Sequence, residues 1–353
     1  MYRTAILGLL VAVGTARAQP DPSTPEGVAG PPTTPVVPGR PPTNAGGLPW
    51  GLQSTLEALG ASTGVPDGAG YSWYPGVPVL GQRASMGLSN YQFGLTVPVA
   101  TTDHDGLFAD IAARVLDIRS NALLPRDRTR FPASLWDVQF GGGYVRQFGD
   151  GSSWGATLNL GSASDRPFRS LGELTMSSLI FLRTPHDDRN GWLFYVVSTT
   201  SGQLGRNIPV PGVAYEYDTD RLHAVLGFPF LTLDYRPVRA VQFELYYAAI
   251  TDLQTRVSYR PTDAARVFAG FEWANHSWYR AGRQFPREQF FQYEKRVEGG
   301  FGYAVHRRVD LRLSGGYAFD RFFVENSGLS FRGRNRVDLA PGPFVAFPCE
   351  LKF

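Results

Sequence analysis

The chain has 353 residues, a formal net charge of +3 and 43% hydrophobic residues, with 40 glycines and abundant aromatics. It is long enough to bury a sizeable core. So small a charge supplies no basic stripe of the kind nucleic acid demands, and the single cysteine, Cys349, excludes an internal disulfide and a Cys-rich metal site.

Residues 1–18 read as a secretory signal peptide. Arg3 gives a positive start, Ala5 to Val13 is a short apolar run, and Ala16-Arg17-Ala18 fits a small-x-small cleavage site. Residues 19–49 hold ten of the 27 prolines and are expected to form a disordered linker, because they cannot bury a core. Residues 50–88 read as an irregular periplasmic segment. Trp50, Leu52, Leu56 and Leu59 suggest a turn or two of amphipathic helix, followed by a stretch rich in Gly and Pro.

From 89 to 353 the pattern changes to alternation with a period of two. Val309, Leu311, Leu313, Tyr317 and Phe319 alternate with Asp310, Arg312, Ser314 and Asp320. Successive strand side chains point to opposite faces, so each such strand has a greasy face and a polar face. The pattern predicts strands at 90–100, 106–118, 135–148, 153–163, 171–184, 191–201, 210–217, 221–236, 240–249, 253–260, 265–276, 289–304, 309–324 and 344–353. Pro229 interrupts 221–236 and makes a break there an alternative. The expectation is an all-β, antiparallel transmembrane barrel of about fourteen strands, twelve to sixteen being compatible.

Alternation does not say which face is inside. Four features favour lipid outside and water inside. Several strands approach the roughly 9–11 residues that cross a bilayer. Aromatics such as Trp136, Trp273 and Tyr303 end the apolar faces, as interfacial girdles do. The other face is dense with Gly, Ser and charge. The last row, Val345, Phe347, Cys349, Leu351 and Phe353, keeps the apolar period to the final residue. That ending resembles the C-terminal signature of bacterial outer-membrane barrels, and residues 85–353 resemble barrel proteins of uncharacterised families with a signal peptide and Pro-rich leader. The resemblance implies an outer-membrane location, with outer-membrane lipid and the barrel-assembly machinery as partners. It also implies that Phe347, Leu351 and Phe353 form an assembly signal.

The candidate functional surface is the polar face. It carries Arg146, Arg236, Arg256, Arg260, Arg296 and Arg312, with Asp234, Glu244, Glu272, Glu298 and Asp310. Rings of charge in an open lumen would tune passage of small polar solutes. Near-balance of signs instead suits cross-strand pairing in a closed barrel that serves structure or surface binding. Other chemistry finds weak support. Gly151-Ser152-Ser153-Trp154-Gly155 matches the hydrolase nucleophile pattern G-x-S-x-G, but in a hairpin rather than a strand–turn–helix. His223 with Ser198 or Ser258 is a further hydrolase option without supporting spacing. His104 and Asp187-Asp188 lie in turn-like stretches where Asp is expected for backbone reasons. No cofactor and no metal site is expected.

Overall fold

The computed structural model describes residues 65, 67–200, 208–248, 252–327 and 333–351. The signal peptide, the linker, the helical turns at 50–60 and Phe353 lie outside the described residues. The strands are β1 (Gly68–Pro78), β2 (Ser85–Thr101), β3 (Asp105–Ser120), β4 (Ser134–Gln147), β5 (Ser153–Ser164) and β6 (Leu174–Pro185). They continue with β7 (Gly191–Thr199), β8 (Val210–Asp218), β9 (Leu222–Phe228), β10 (Phe230–Val238), β11 (Val241–Ala248) and β12 (Asp252–Tyr259). The last are β13 (Ala265–Trp278), β14 (Gln289–His306), β15 (Val309–Asn326), β16 (Arg334–Leu339) and β17 (Gly342–Leu351).

Chain neighbours pair antiparallel, and β1 closes the ring by pairing with both β2 and β17. β15 pairs with β16 along Arg321–Glu325 and with β17 along Val309–Ala318, so those two short strands share one position. The result is a closed barrel of sixteen positions, an even number as expected for a single-chain membrane barrel.

Two departures raise the count from fourteen. The segment 222–238 is a hairpin: Leu231 pairs with Leu226 and Tyr235 with Leu222. Pro229 has no N–H to continue the ladder, and the chain reverses there. The barrel also begins earlier than the sequence suggests. β1 lies in the stretch whose Gly and Pro content reads as irregular; its Gly70, Pro75, Gly76 and Pro78 mask the alternation. β16 likewise occupies part of the expected 325–343 connection.

The two rims differ. One carries tight connections at 102–104, 148–152, 186–190, 219–221, 239–240, 260–264 and 307–308. The other carries longer loops, among them 79–84, 121–133, 165–173 and 279–288. Asp187 shows why the tight turns hold. Its carboxylate accepts the backbone N–H groups of Arg189 and Asn190 at 2.9 and 2.8 Å and the Asn190 amide at 2.7 Å. These bonds, the Asn190 side chain first, hold its pKa down to about 2.

The outer surface between the rims is a belt of exposed large apolar side chains, including Phe93, Phe140, Leu158, Ile180, Phe194, Val257, Phe301, Leu313 and Tyr317. A contiguous apolar surface of this kind is what hydrocarbon solvates and water does not. Phe347 belongs to the belt, and Leu351 sits half-buried at the end of β17.

The interior is not uniformly polar. β6 and β7 are apolar on both faces: Ile180, Leu182, Phe194 and Val196 face out, while Leu179, Phe181, Leu193 and Tyr195 are buried with Val145, Val225 and Phe230. A second buried cluster fills the loop-rim end between β1–β3 and β13–β17. At its centre Phe131 of the 121–133 loop meets Phe290 and Phe323, with ring centroids 5.0–5.5 Å apart. Polar-face glycines let side chains lie flat across the wall. A Cβ at Gly141 would collide with Asn159 and Asp110, and one at Gly302 with Arg266.

Candidate functional site

Inside the barrel many of the charges are paired. On β12–β17, Arg256 reaches Glu298 at 3.5 Å and Arg266 reaches Asp310 at 2.9 Å, while Arg312 contacts Glu350. Arg296 contacts Glu272, and Arg321 reaches Glu294 at 2.8 Å. Towards the tight-turn rim, Arg236 pairs with Asp234 at 2.7 Å. The buried Gln242 donates to Asp234 and Glu244 at 3.1 and 3.3 Å and accepts from Arg260 at 2.8 Å. Arg146 stands at the rim itself, half exposed, 3.9 Å from Asp105. In the β12–β17 ladder the paired side chains are only 2–31% exposed. Residues lining a wide aqueous lumen would be more accessible than this.

Apart from Arg146 at the rim, the sequence-chosen residues thus fall into two groups, Arg256, Arg296, Arg312, Glu272, Glu298 and Asp310 in one, Asp234, Arg236, Glu244 and Arg260 in the other. Asp320 departs from its expected interior row. The β14–β15 register shifts between Tyr293 and Lys295, which changes the parity of the strand beyond it. Asp320 therefore turns outward and pairs at 2.8 Å with Lys295, which lies over the Trp273 ring. The same shift, which adds a residue to β15, brings Arg321 inside, where period-two counting does not put it, to meet Glu294 of the interior row of β14. Tyr74, in the unexpected first strand, donates to Glu294 at 2.6 Å. Arg114 donates to Nδ1 of His276 across the lumen at 2.8 Å. Arg114, Gln139, Asn275 and His276 line a polar cavity of about 130 Å³.

Above this cavity, opposite walls of the barrel join. The β5–β6 and β13–β14 connections are eight positions apart on a ring of sixteen, so they face each other across its diameter. Ser164 and Tyr279 nevertheless form a parallel bridge, and the Tyr279 N–H donates to the Ala163 carbonyl at 2.7 Å. Asp165 accepts the Ala281 N–H at 2.6 Å, and Arg283 donates to the Gly172 carbonyl at 2.7 Å. A buried ionic cluster locks the remaining loops. Arg280 contacts both Asp127 and Glu325, and Asn335 donates to the same two carboxylates at 3.0 and 2.6 Å. Burial works to raise the Asp127 pKa, but hydrogen bonds from Arg280 and Asn335 outweigh it and hold the carboxyl below its ordinary range.

The hydrolase options gain nothing from the ladder. Ser198 lies opposite Ser178, Ser258 opposite Gln242 and Phe268, and His223 opposite Asp218 and Asp234. Ser152 is in the 148–152 turn, where its N–H donates to Asp150.

What the geometry defines is a closed antiparallel membrane barrel with an occluded interior and an interlocked loop cap. No protein-family model matches the chain, and no curated protein matches it. Among solved structures, the beta domain of the Bordetella autotransporter Brka aligns over 82% of this chain and 100% of its own, at 10% identity and a TM-score of 0.28. An outer membrane channel from Pseudomonas putida F1 aligns over 81% and 96%, at 8% identity and 0.33. A FadL homologue from Pseudomonas aeruginosa aligns over 81% and 89%, at 12% identity and 0.34. The functional reading rests on this molecule's own geometry.

Proposed function

We propose that the chain is an exported bacterial outer-membrane barrel whose lumen is sealed at rest by its own loops, and whose working surface is the loop cap. Single-chain barrels keep short turns on the periplasmic side and long loops outside, which assigns the cap to the cell exterior. The observation that carries this reading is the junction of diametrically opposed connections at Ser164 and Tyr279. A barrel of sixteen positions has the circumference for an aqueous channel; here the walls meet and the charged ladder of β12–β17 is paired and largely buried. The apolar belt takes outer-membrane lipid as its partner, and the assembly machinery takes the β17 end. No catalytic role is proposed.

The test is conductance of the refolded full chain in planar bilayers. The expected wild-type record has no porin-sized steps; steady open steps at neutral pH would sink the sealed-lumen reading. A second reading, regulated passage of small polar solutes, draws on the polar cavity beneath the seal. It predicts that Arg280→Ala, which removes the partner of Asp127 and Glu325, gives conductance steps absent from the wild type.

A further inference from the structure

The two rims carry their arginines differently. On the loop rim Arg83, Arg126, Arg128, Arg130, Arg166, Arg169 and Arg287 are exposed. Apart from the exposed Asp117 of β3, the carboxylates there are already engaged. Asp127 and Glu325 hold Arg280, Glu288 holds Arg334, Asp338 holds Arg336, Asp165 accepts the Ala281 N–H and Glu173 the Arg169 N–H. Among the described residues none of the seven exposed arginines forms an ion pair, so the rim keeps an excess of positive charge even with Asp117, Asp165 and Glu173 counted against it. At the opposite rim Asp150, Asp187, Asp188, Asp220 and Asp263 offset the arginines of the turns.

The loops bearing this charge are fixed to one another. Gln82 exchanges hydrogen bonds with Leu123, the 126–127 backbone donates to Asn335, and Arg283 ties 279–288 to Gly172. A surface already ordered loses little entropy on binding. The charge is also interleaved with exposed apolar side chains. Phe168 stands between Arg166 and Arg169 at 52% exposure, and Leu171 is 82% exposed. The chain then runs directly into Leu174 and Met176 of the lipid-facing belt.

We propose that this rim binds phosphate-bearing lipid head groups of the surrounding leaflet. Arginine guanidinium groups take the phosphates, whose planar, bidentate geometry they match. Phe168 and Leu171 take the upper part of the acyl chains. A soluble polyanion would satisfy the arginines and leave those two side chains in water; a lipid satisfies both, and the site is continuous with the belt that lipid already covers. This inference rests on the assignment of the loop rim to the outer face.

The full chain, refolded in neutral detergent micelles, is titrated with a diphosphorylated glucosamine-disaccharide lipid, and bound lipid is counted by native mass spectrometry. The loop-rim variant Arg126→Gln/Arg130→Gln/Arg166→Gln/Arg169→Gln should bind about a thousandfold more weakly, given the contribution of each basic residue near an anionic lipid surface. The turn-rim variant Arg221→Gln/Arg239→Gln/Arg307→Gln/Arg308→Gln should bind as the wild type does. The dephosphorylated lipid should bind no better than the loop-rim variant binds the phosphorylated one. All substituted side chains are exposed, and unheated gel migration reports that each barrel is closed. Equal binding by the loop-rim variant, or an equal loss in the turn-rim variant, overturns the proposal. So does inorganic polyphosphate binding as tightly as the lipid, which would make a soluble polyanion the occupant. Conductance is read separately: a conducting wild type that still binds lipid removes the sealed lumen and leaves this site standing.

Discussion

Arg280 illustrates how much one buried charge holds in place. Its guanidinium joins Asp127, in the loop after β3, to Glu325, near the end of β15, and Glu325 is 2% exposed. Arg280→Ala would leave that carboxylate buried without its cation, at a cost of about 3–5 kcal/mol. Adding Glu325→Gln should recover part of the loss; urea unfolding of the two variants in vesicles measures both. The cap should also respond to acid. The Asp127 pKa is lowered by folding, so its stabilisation is present above the unfolded carboxylate value and disappears as the pH falls through the folded one. Limited proteolysis of 121–133 should therefore accelerate in acid, and Asp127→Asn should already be fast at neutral pH, with little further change. None of this network is legible in the sequence. Arg280, Asp127, Glu325 and Asn335 lie as much as 208 residues apart, and period-two counting assigns no partners.

β15 shows where period-two counting works and where it stops. From Val309 to Tyr317 the expected rows hold: Leu311, Leu313 and Tyr317 are exposed on the belt, while Asp310 and Ser314 are buried. Leu313→Arg should destabilise the barrel by about 2–4 kcal/mol, the usual cost of a basic residue near the bilayer midplane. Folding titrations in phosphatidylcholine vesicles test this, with Leu80→Arg in the exposed 79–84 loop as the reference that should change little. Beyond the register shift at Tyr293–Lys295 the rows exchange faces, and Asp320 becomes an outward residue. A bulge adds a residue to one strand, and its position is set by the partner strand. The β9–β10 hairpin had a readable cue in Pro229; β1 had none, since its glycines and prolines hide a strand that only pairing with β17 and β2 on either side stabilises.

For the molecule as a whole, sidedness and closure have different origins. Repeated alternation, strand length and the aromatic ends of the apolar faces are local properties of the chain. They determined an all-β membrane barrel, most of its strands and the row that meets lipid, because the side-chain period of a strand is fixed by backbone geometry. The state of the lumen is not local. It depends on which walls approach, and the meeting of Ser164 with Tyr279 across the diameter, the inward apolar face of β6–β7 and the Arg280 cluster exist only once sixteen strand positions have closed. The same row of alternating charges would line an open pore in a rounder barrel. Tertiary structure decided that here the β12–β17 charges pair instead, because opposing walls brought close together leave a buried charge little water and favour another side chain as its partner.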